Sequence, residues 1–214
     1  MQKFDVIIAG CGASGLYAAL NLDPSLKVLL LAKKSLTLNN SYLAQGGIAA
    51  VTDLIYDDFQ LHFDDTMIAG QQANNPQAVD ILVHEANNHI RNIISMGVQF
   101  NKTPSGENYH RTLEGGHSRA RILHHDDATG REITSHLLEK VLQLENVTVL
   151  ENAMLCDVKK EDTTFYADVL TAGEHHEYYC ANFLIMATGG IGRVYGYTTN
   201  SAIATGDGIA LANR

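Results

Sequence analysis

A chain of 214 residues, 45% hydrophobic and 18% charged, is long enough for a sizeable core and too apolar to be disordered. Its formal net charge of −9 argues against nucleic acid or an anionic membrane as a partner. No apolar run approaches the roughly 18 residues that span a bilayer. The three scattered cysteines, Cys11, Cys156 and Cys180, offer neither a disulfide framework nor metal-ligand spacing, and fit a reducing compartment.

The run "KFDVIIAG" (3–10) is apolar and rich in β-branched residues, and predicts a buried parallel strand. "GCGASG" (10–15) follows, then the helical "LYAALNL", then a second buried strand in "LKVLLLA" (26–32). A strand, glycine turn, helix and strand in this order open a dinucleotide-binding fold. Residues 35–53 predict a long loop of small residues. Two helices are expected over 58–73 and 76–96, with Pro76 in a first turn and Gly97 as a cap. In the second, apolar positions 79, 82, 83, 86, 90, 93 and 94 fall on one face. Residues 101–128 are polar and show no period. An amphipathic helix is expected over 129–144, with Thr129 and Glu132 in capping-box spacing.

Residues 147–152 predict a short strand, and 153–160, 164–171 and 175–181 a small antiparallel meander. "NFLIMATGG" (182–190) returns to a buried strand ending in glycines. A last helix opens near Gly208 and has run about two turns when the sequence stops, which suggests a fragment. The fold class is α/β: a Rossmann-like domain with a parallel sheet, helices and a small antiparallel meander.

Each glycine of "GCGASG" has a separate task. Gly10 permits the tight turn, Gly12 lets the backbone approach a pyrophosphate, and Gly15 lets the helix pack close to the strand. The amides of Ala13 and Ser14 then open a helix whose dipole favours anions. The acid that usually ends the second strand and binds a ribose is absent. Ala32, Lys33 and Lys34 stand there, which weakens the case for NAD and leaves Lys33 to serve the adenosine half electrostatically. "SYLAQGGIAAV" (41–51) has little side-chain bulk and suits a long wall against a large planar ring such as an isoalloxazine. "ATGG" (187–190) and "ATGDG" (204–208) offer two more close approaches.

The motifs "GCGASG", "SYLAQGGIAAV", "EGGHSRARILHHDDATGRE", "ATGGIGRVYGYTTN" and "ATGDGIA", in this order, resemble the succinate dehydrogenase/fumarate reductase flavoprotein family. Within it they are most similar to the members that oxidise L-aspartate. The resemblance covers nearly all of the chain except the meander at 153–180. It implies an FAD-binding domain over 1–214, with a capping domain and a helical C-terminal region outside it. Gly10, Cys11, Gly12, Ala13, Ser14 and Gly15 would form the pyrophosphate turn, and Lys33 would lie near the adenosine end. Asn40, Ser41, Tyr42, Leu43, Ala44, Gln45, Gly46 and Gly47 would line the flavin, and Asp207 would hold the ribityl region. Members that attach flavin covalently carry a histidine in "SHTV". The matching residues here are Asn39, Asn40, Ser41 and Tyr42, so FAD would be noncovalent.

The stretch 109–132 carries four of the ten histidines, four arginines and four acids. The resemblance assigns the glutamate of "EGGHS", Glu114, to the substrate ammonium, which separates aspartate from succinate. His117 and Ser118 would shape the flavin or substrate wall or else make structural hydrogen bonds, and Arg119, Arg121 and Arg131 would add positive charge near the cofactor or else be solvated or ion-paired. "HHDD" (124–127) invites a metal reading, but adjacent residues rarely converge on one ion, and Asp126 or Asp127 better serves the turn before the helix. A Ser-His-Asp hydrolase lacks its "GxSxG" elbow. The implied reaction turns L-aspartate into iminoaspartate, passes electrons to oxygen or fumarate, and has a quinolinate synthase downstream, in the cytoplasm. The catalytic base would lie outside this chain. A fumarate reductase or succinate dehydrogenase flavoprotein, a non-catalytic FAD module and an NAD(P) enzyme are the competing readings.

Overall fold

The computed structural model describes residues 1–214. The chain forms two compact units: residues 1–43 with 134–214, and residues 44–133. None of its helices is long and apolar enough to cross a membrane.

The first unit is built on a four-stranded parallel sheet. β2 (Val6–Ala9) and β3 (Val28–Leu31) are its centre, and β7 (Val147–Leu150) and β11 (Phe183–Met186) its edges, in the order β11-β2-β3-β7. All eight residues of β2 and β3 are buried, which is why both runs are continuously apolar rather than alternating. Helix α1 (Ala13–Asn21) is the crossover between these two strands and packs on both through Leu16 and Ala19. The expected single strand over 3–10 divides at Asp5. Its carboxylate accepts the Lys27 amide (2.8 Å), and its own N–H goes to the Lys27 carbonyl. The preceding β1 (Gln2–Lys3) joins a second sheet.

That second sheet is the meander expected from the sequence: β8 (Met154–Glu161), β9 (Thr164–Leu170) and β10 (His176–Ala181), antiparallel, with β1 parallel to β10. Its buried residues Leu155, Ala167, Val169 and Tyr179 share a core with Ile7, Leu29 and Leu31 of the parallel sheet. A short helix α2 (Asn40–Leu43) follows β3, and α6 (Asp207–Ala212) ends the described chain.

The second unit holds helices α3 (Phe59–Ala69) and α4 (Pro76–Ser95). Asp58 caps α3 by accepting the Leu61 amide, and Asn75 caps α4 by accepting those of Gln77 and Ala78. The helices pack through Met67, Val79 and Val83. Leu82, placed on the buried face by its spacing, is 60% exposed. Three two-residue strands, β4 (Ile48–Ala49), β5 (Arg111–Thr112) and β6 (Ile122–Leu123), form a small antiparallel sheet. Two of them fall where the sequence shows no period.

Helix α5 (Thr129–Leu142) begins as expected, but its capping box is not what its side chains make. The Thr129 hydroxyl donates to the Gly46 carbonyl (2.6 Å) and accepts the His125 amide (2.9 Å). The Glu132 carboxylate accepts the Gln99 amide (2.9 Å).

Candidate functional site

In the first unit, β2 and α1 meet at the glycine turn. Gly10 has φ +117°, and a Cβ there would run into the Ala187 carbonyl. A Cβ on Gly15 would strike the Gly10 carbonyl. Two of the three glycines are therefore required by close backbone approach, as the sequence spacing implies. Gly208 likewise has no room for a side chain, because Thr188 sits against it.

A cavity of about 320 Å³ opens at this turn. Gly10, Cys11, Gly12 and Ser14 form one wall and Lys33, Lys34 and Ser35 another. Asn39–Ser41, Ala153–Leu155, Met186–Gly190 and Asp207 also line it, with Leu31, Leu38 and Ile203 as apolar patches. Most of these walls are small side chains or bare backbone. Ala13, Gly15, Tyr42 and Leu43 are not among them. Gly15 works behind the turn, and the Ala13 amide donates to the Ser41 hydroxyl (3.1 Å) rather than standing open.

Burial pushes the Cys11 thiol up to about 11, with Glu151 adding to it, so the sulfur is not a thiolate at neutral pH. The Asn40 side chain binds Asn200 and the Ser201 amide, holding the chain before α6 against α2. Neither charge expected at the cofactor is free. Lys33 Nζ contacts Asp207 Oδ2 (2.6 Å) and Thr205 Oγ1 (2.6 Å), and Thr205 donates to the other Asp207 oxygen (2.6 Å). The pair is half-buried on the cavity wall, so an approaching ligand meets a neutralised dipole and not an isolated ammonium or carboxylate.

In the second unit, residues 44–47 form an exposed turn. It is fixed by its carbonyls: Ala44 accepts the Gly130 amide (2.9 Å) and Gly46 the Thr129 hydroxyl. Gly47 has no room for a Cβ, being pressed on Ile122 and Leu123. The two Glu114 oxygens lie 3.6 and 3.7 Å from where a Gly46 Cβ would stand. The structure thus brings Glu114 to the Gln-Gly-Gly turn, with its carboxylate exposed.

Beneath that loop is a charge cluster. Arg121 is fully buried and makes a two-pronged contact to Asp57 (2.8 Å each). It also donates to Asp65 (2.6 Å) and to His117 Nδ1 (3.2 Å). Burial alone would raise the Asp65 pKa; the Ser118 amide, Arg121 and the Ser118 hydroxyl outweigh it and hold it below the usual carboxylate value. Arg121 is therefore ion-paired, which answers the alternative left open by the sequence. Arg119 and Arg131 are not in this cluster. Three residues of "HHDD" take separate partners: His124 faces His110 (2.7 Å), His125 the Gln99 carbonyl (2.8 Å), and Asp126 the Asn101 amide (2.8 Å).

An FAD binding domain family model matches residues 5–214. The chain belongs to this family of FAD-binding flavoproteins. Among curated proteins it is 40% identical to an L-aspartate oxidase of Yersinia pestis, over 98% of this chain and 42% of that protein. It is 38% identical to an L-aspartate oxidase of Clostridium perfringens, over 98% of this chain and 47% of that one. The chain thus spans less than half the length of these relatives. Its backbone superposes on an E. coli quinol fumarate reductase with a TM-score of 0.92 at 29% identity, covering 99% of this chain and 37% of the other. A Mycobacterium smegmatis Sdh1 complex gives 0.88 at 28%, covering 99% and 38%.

FAD is the cofactor of this family, and the turn fits it. Bare glycine backbone and one helix N-terminus open onto the cavity, and the backbone approach that a Cβ at Gly10 would break lies on its wall. Sequence reasoning missed the walls at Ala153–Leu155, which come from a meander with no motif of its own. It also missed Asp57 and Asp65, which only an unpaired, apolar-flanked Arg121 in the sequence could have hinted at.

Proposed function

We propose that this chain is the FAD-binding part of an L-aspartate oxidase, which converts L-aspartate to iminoaspartate as the first step of NAD biosynthesis. Quinolinate synthase would act next, in the cytoplasm, and oxygen or fumarate would receive the electrons. The observation that carries the reading is the Glu114 carboxylate resting on Gly46, where an exposed acid meets a side-chain-poor turn.

Bound FAD supplies the two-electron oxidation. The chain's own residues do the holding. The backbone of Gly10, Cys11, Gly12 and Ser14 accepts the pyrophosphate, with Ala13 held in place through Ser41 and Gly15 packing behind. The Lys33–Asp207 pair would offer the cofactor's sugar hydroxyls a joint donor and acceptor at one point of the cavity wall. Asn40–Gly47 form the flavin wall, and with no histidine at 39–42 the cofactor stays noncovalent. Glu114 accepts from the substrate ammonium, a charge-assisted contact that succinate cannot make. The base that takes the amine proton lies outside these 214 residues, so the chain alone turns over little or not at all.

Heating the intact protein should release FAD into the supernatant, and aspartate, not succinate, should bleach its flavin absorbance anaerobically. Bleaching by succinate alone would favour the second reading, a dicarboxylate oxidoreductase, which the backbone likeness to fumarate reductase supports. A colourless protein that takes up no FAD would end both.

A further inference from the structure

Glu114 sits in a loop that has little to hold it. Residues 113–116 are exposed, Gly115 and Gly116 follow directly, and Gly116 has φ +84°. Within the loop, the His117 amide bonds the Glu114 carbonyl (3.2 Å) and closes a turn, but fixes nothing beyond itself. Two glycines in an exposed turn leave many backbone conformations open. A carboxylate that must meet an ammonium at one spot needs an anchor from elsewhere in the unit.

That anchor is one oxygen on α3. Asp65 Oδ2 accepts the Ser118 amide (2.8 Å), the Ser118 hydroxyl (2.8 Å) and Arg121 Nη1 (2.6 Å). The same Arg121 nitrogen reaches His117 Nδ1 (3.2 Å). A guanidinium only donates, so Nδ1 is the acceptor and the ring proton is on Nε2. Ser118 is gripped at both its donors. Arg121 is itself immobile, buried and forked onto Asp57.

We propose that Asp65 is a positioning residue: it fastens the loop over 114–118, directly at Ser118 and through Arg121 at His117, and so sets the affinity of Glu114 for a substrate ammonium. This rests on the reading of Glu114 given above. Asp65 itself touches no substrate. Its influence is confined to ligands that carry an ammonium and passes entirely through Glu114.

The test uses the intact, FAD-loaded protein, with aspartate and succinate binding read from the flavin difference spectrum and amide hydrogen exchange read over 113–118. Asp65→Asn takes the negative charge from the group that holds these three donors and leaves it one acceptor oxygen instead of two. It should weaken aspartate about tenfold, as expected for losing one charged hydrogen bond, and leave succinate unchanged. Exchange over 113–118 should quicken by a similar factor. Ser118→Ala, which spares the buried ion pair, should shift both readouts in the same direction by less, and carries the test should Asp65→Asn not fold. In the double variant with Glu114→Gln, aspartate binding should equal that of Glu114→Gln alone, since two residues in one path do not add. Additive losses, equal weakening of succinate, or unchanged exchange would each overturn the positioning role. If Glu114→Gln alone leaves aspartate affinity intact, the substrate reading itself is wrong, whatever the exchange data give.

Discussion

In the turn over 10–15 the groups on offer are main-chain amides, and glycine geometry puts them there. In the loop over 113–121 they are charged side chains, and other charges hold them. The first arrangement is local: Gly10, Gly12 and Gly15 act within six consecutive residues. The second is distributed: Arg121 meets partners 64 and 56 positions away in the chain. Backbone recognition needs space more than chemistry, so a single Cβ destroys it. Charge recognition needs neighbours, so it fails when one partner is taken away and the rest remain.

The sharpest test of the local arrangement is Gly10→Ala. A methyl there meets the Ala187 carbonyl and demands a φ of +117°. Gly10 ends the buried strand β2, and Ala187 follows the edge strand β11 (half-buried to exposed, not the buried strand expected over 182–190), which is paired to β2 in parallel register, so relief would have to pull the two strands apart. The expected cost is on the order of 5 kcal/mol or more, with loss of bound flavin. Flavin content after purification and the urea midpoint would report it. Near-normal values for both would mean that the turn relaxes easily and that its glycine is not structural.

The same contrast explains what the sequence made legible. Continuous apolar runs at 6–9 and 28–31 announce parallel strands because burial on both faces forces that composition. The meander shows because alternate burial in β9 leaves a period of two. Glycine spacing reads out the cofactor turn for an equally direct reason. In contrast, β5 and β6 have two residues each, too few for any period. Thr129 and Glu132 have capping-box spacing yet bond to Gly46 and Gln99, since tertiary partners outcompete a local motif. Nothing in the sequence near Asp57 or Asp65 says that either faces Arg121. That pairing exists only once α3 and β6 are packed, and Glu114's support was invisible for the same reason.

The distributed arrangement breaks at its centre. Arg121→Met would leave the Asp57 carboxylate buried with no counter-charge, and Asp65 with one donor fewer. Removing one partner of a buried pair costs about 3–5 kcal/mol. Adding Asp57→Leu to Arg121→Met should recover part of that loss, since the stranded charge goes with it. Urea midpoints of the two variants would measure the difference. A double variant less stable than the single would show that Asp57 has work beyond pairing Arg121.

A smaller effect tests the edge of the same cluster. His62 is buried, its Nδ1 has no partner, and its ring lies 5.6 Å from that of His117. Burial, then the nearby charge of Arg121, hold its pKa at about 4 against an ordinary 6.5, while Asp57 and Asp65 pull the other way. The folded state thus keeps His62 neutral where the unfolded chain would protonate it. Between pH 6.5 and about 4 the unfolded state binds the extra proton, so stability falls as pH falls through that window. At pH 5 the loss is about 2 kcal/mol relative to pH 7. Asp65 acts in a separate window. Its folded pKa lies below the ordinary 3.8, so its contribution is intact above that value and is lost only on further acidification. Urea midpoints at pH 7 and pH 5 therefore isolate the histidine, and His62→Leu should flatten the difference between them. If the wild-type midpoints already coincide, His62 is protonated in the folded protein, and the cluster around Arg121 tolerates one more positive charge than its geometry allows.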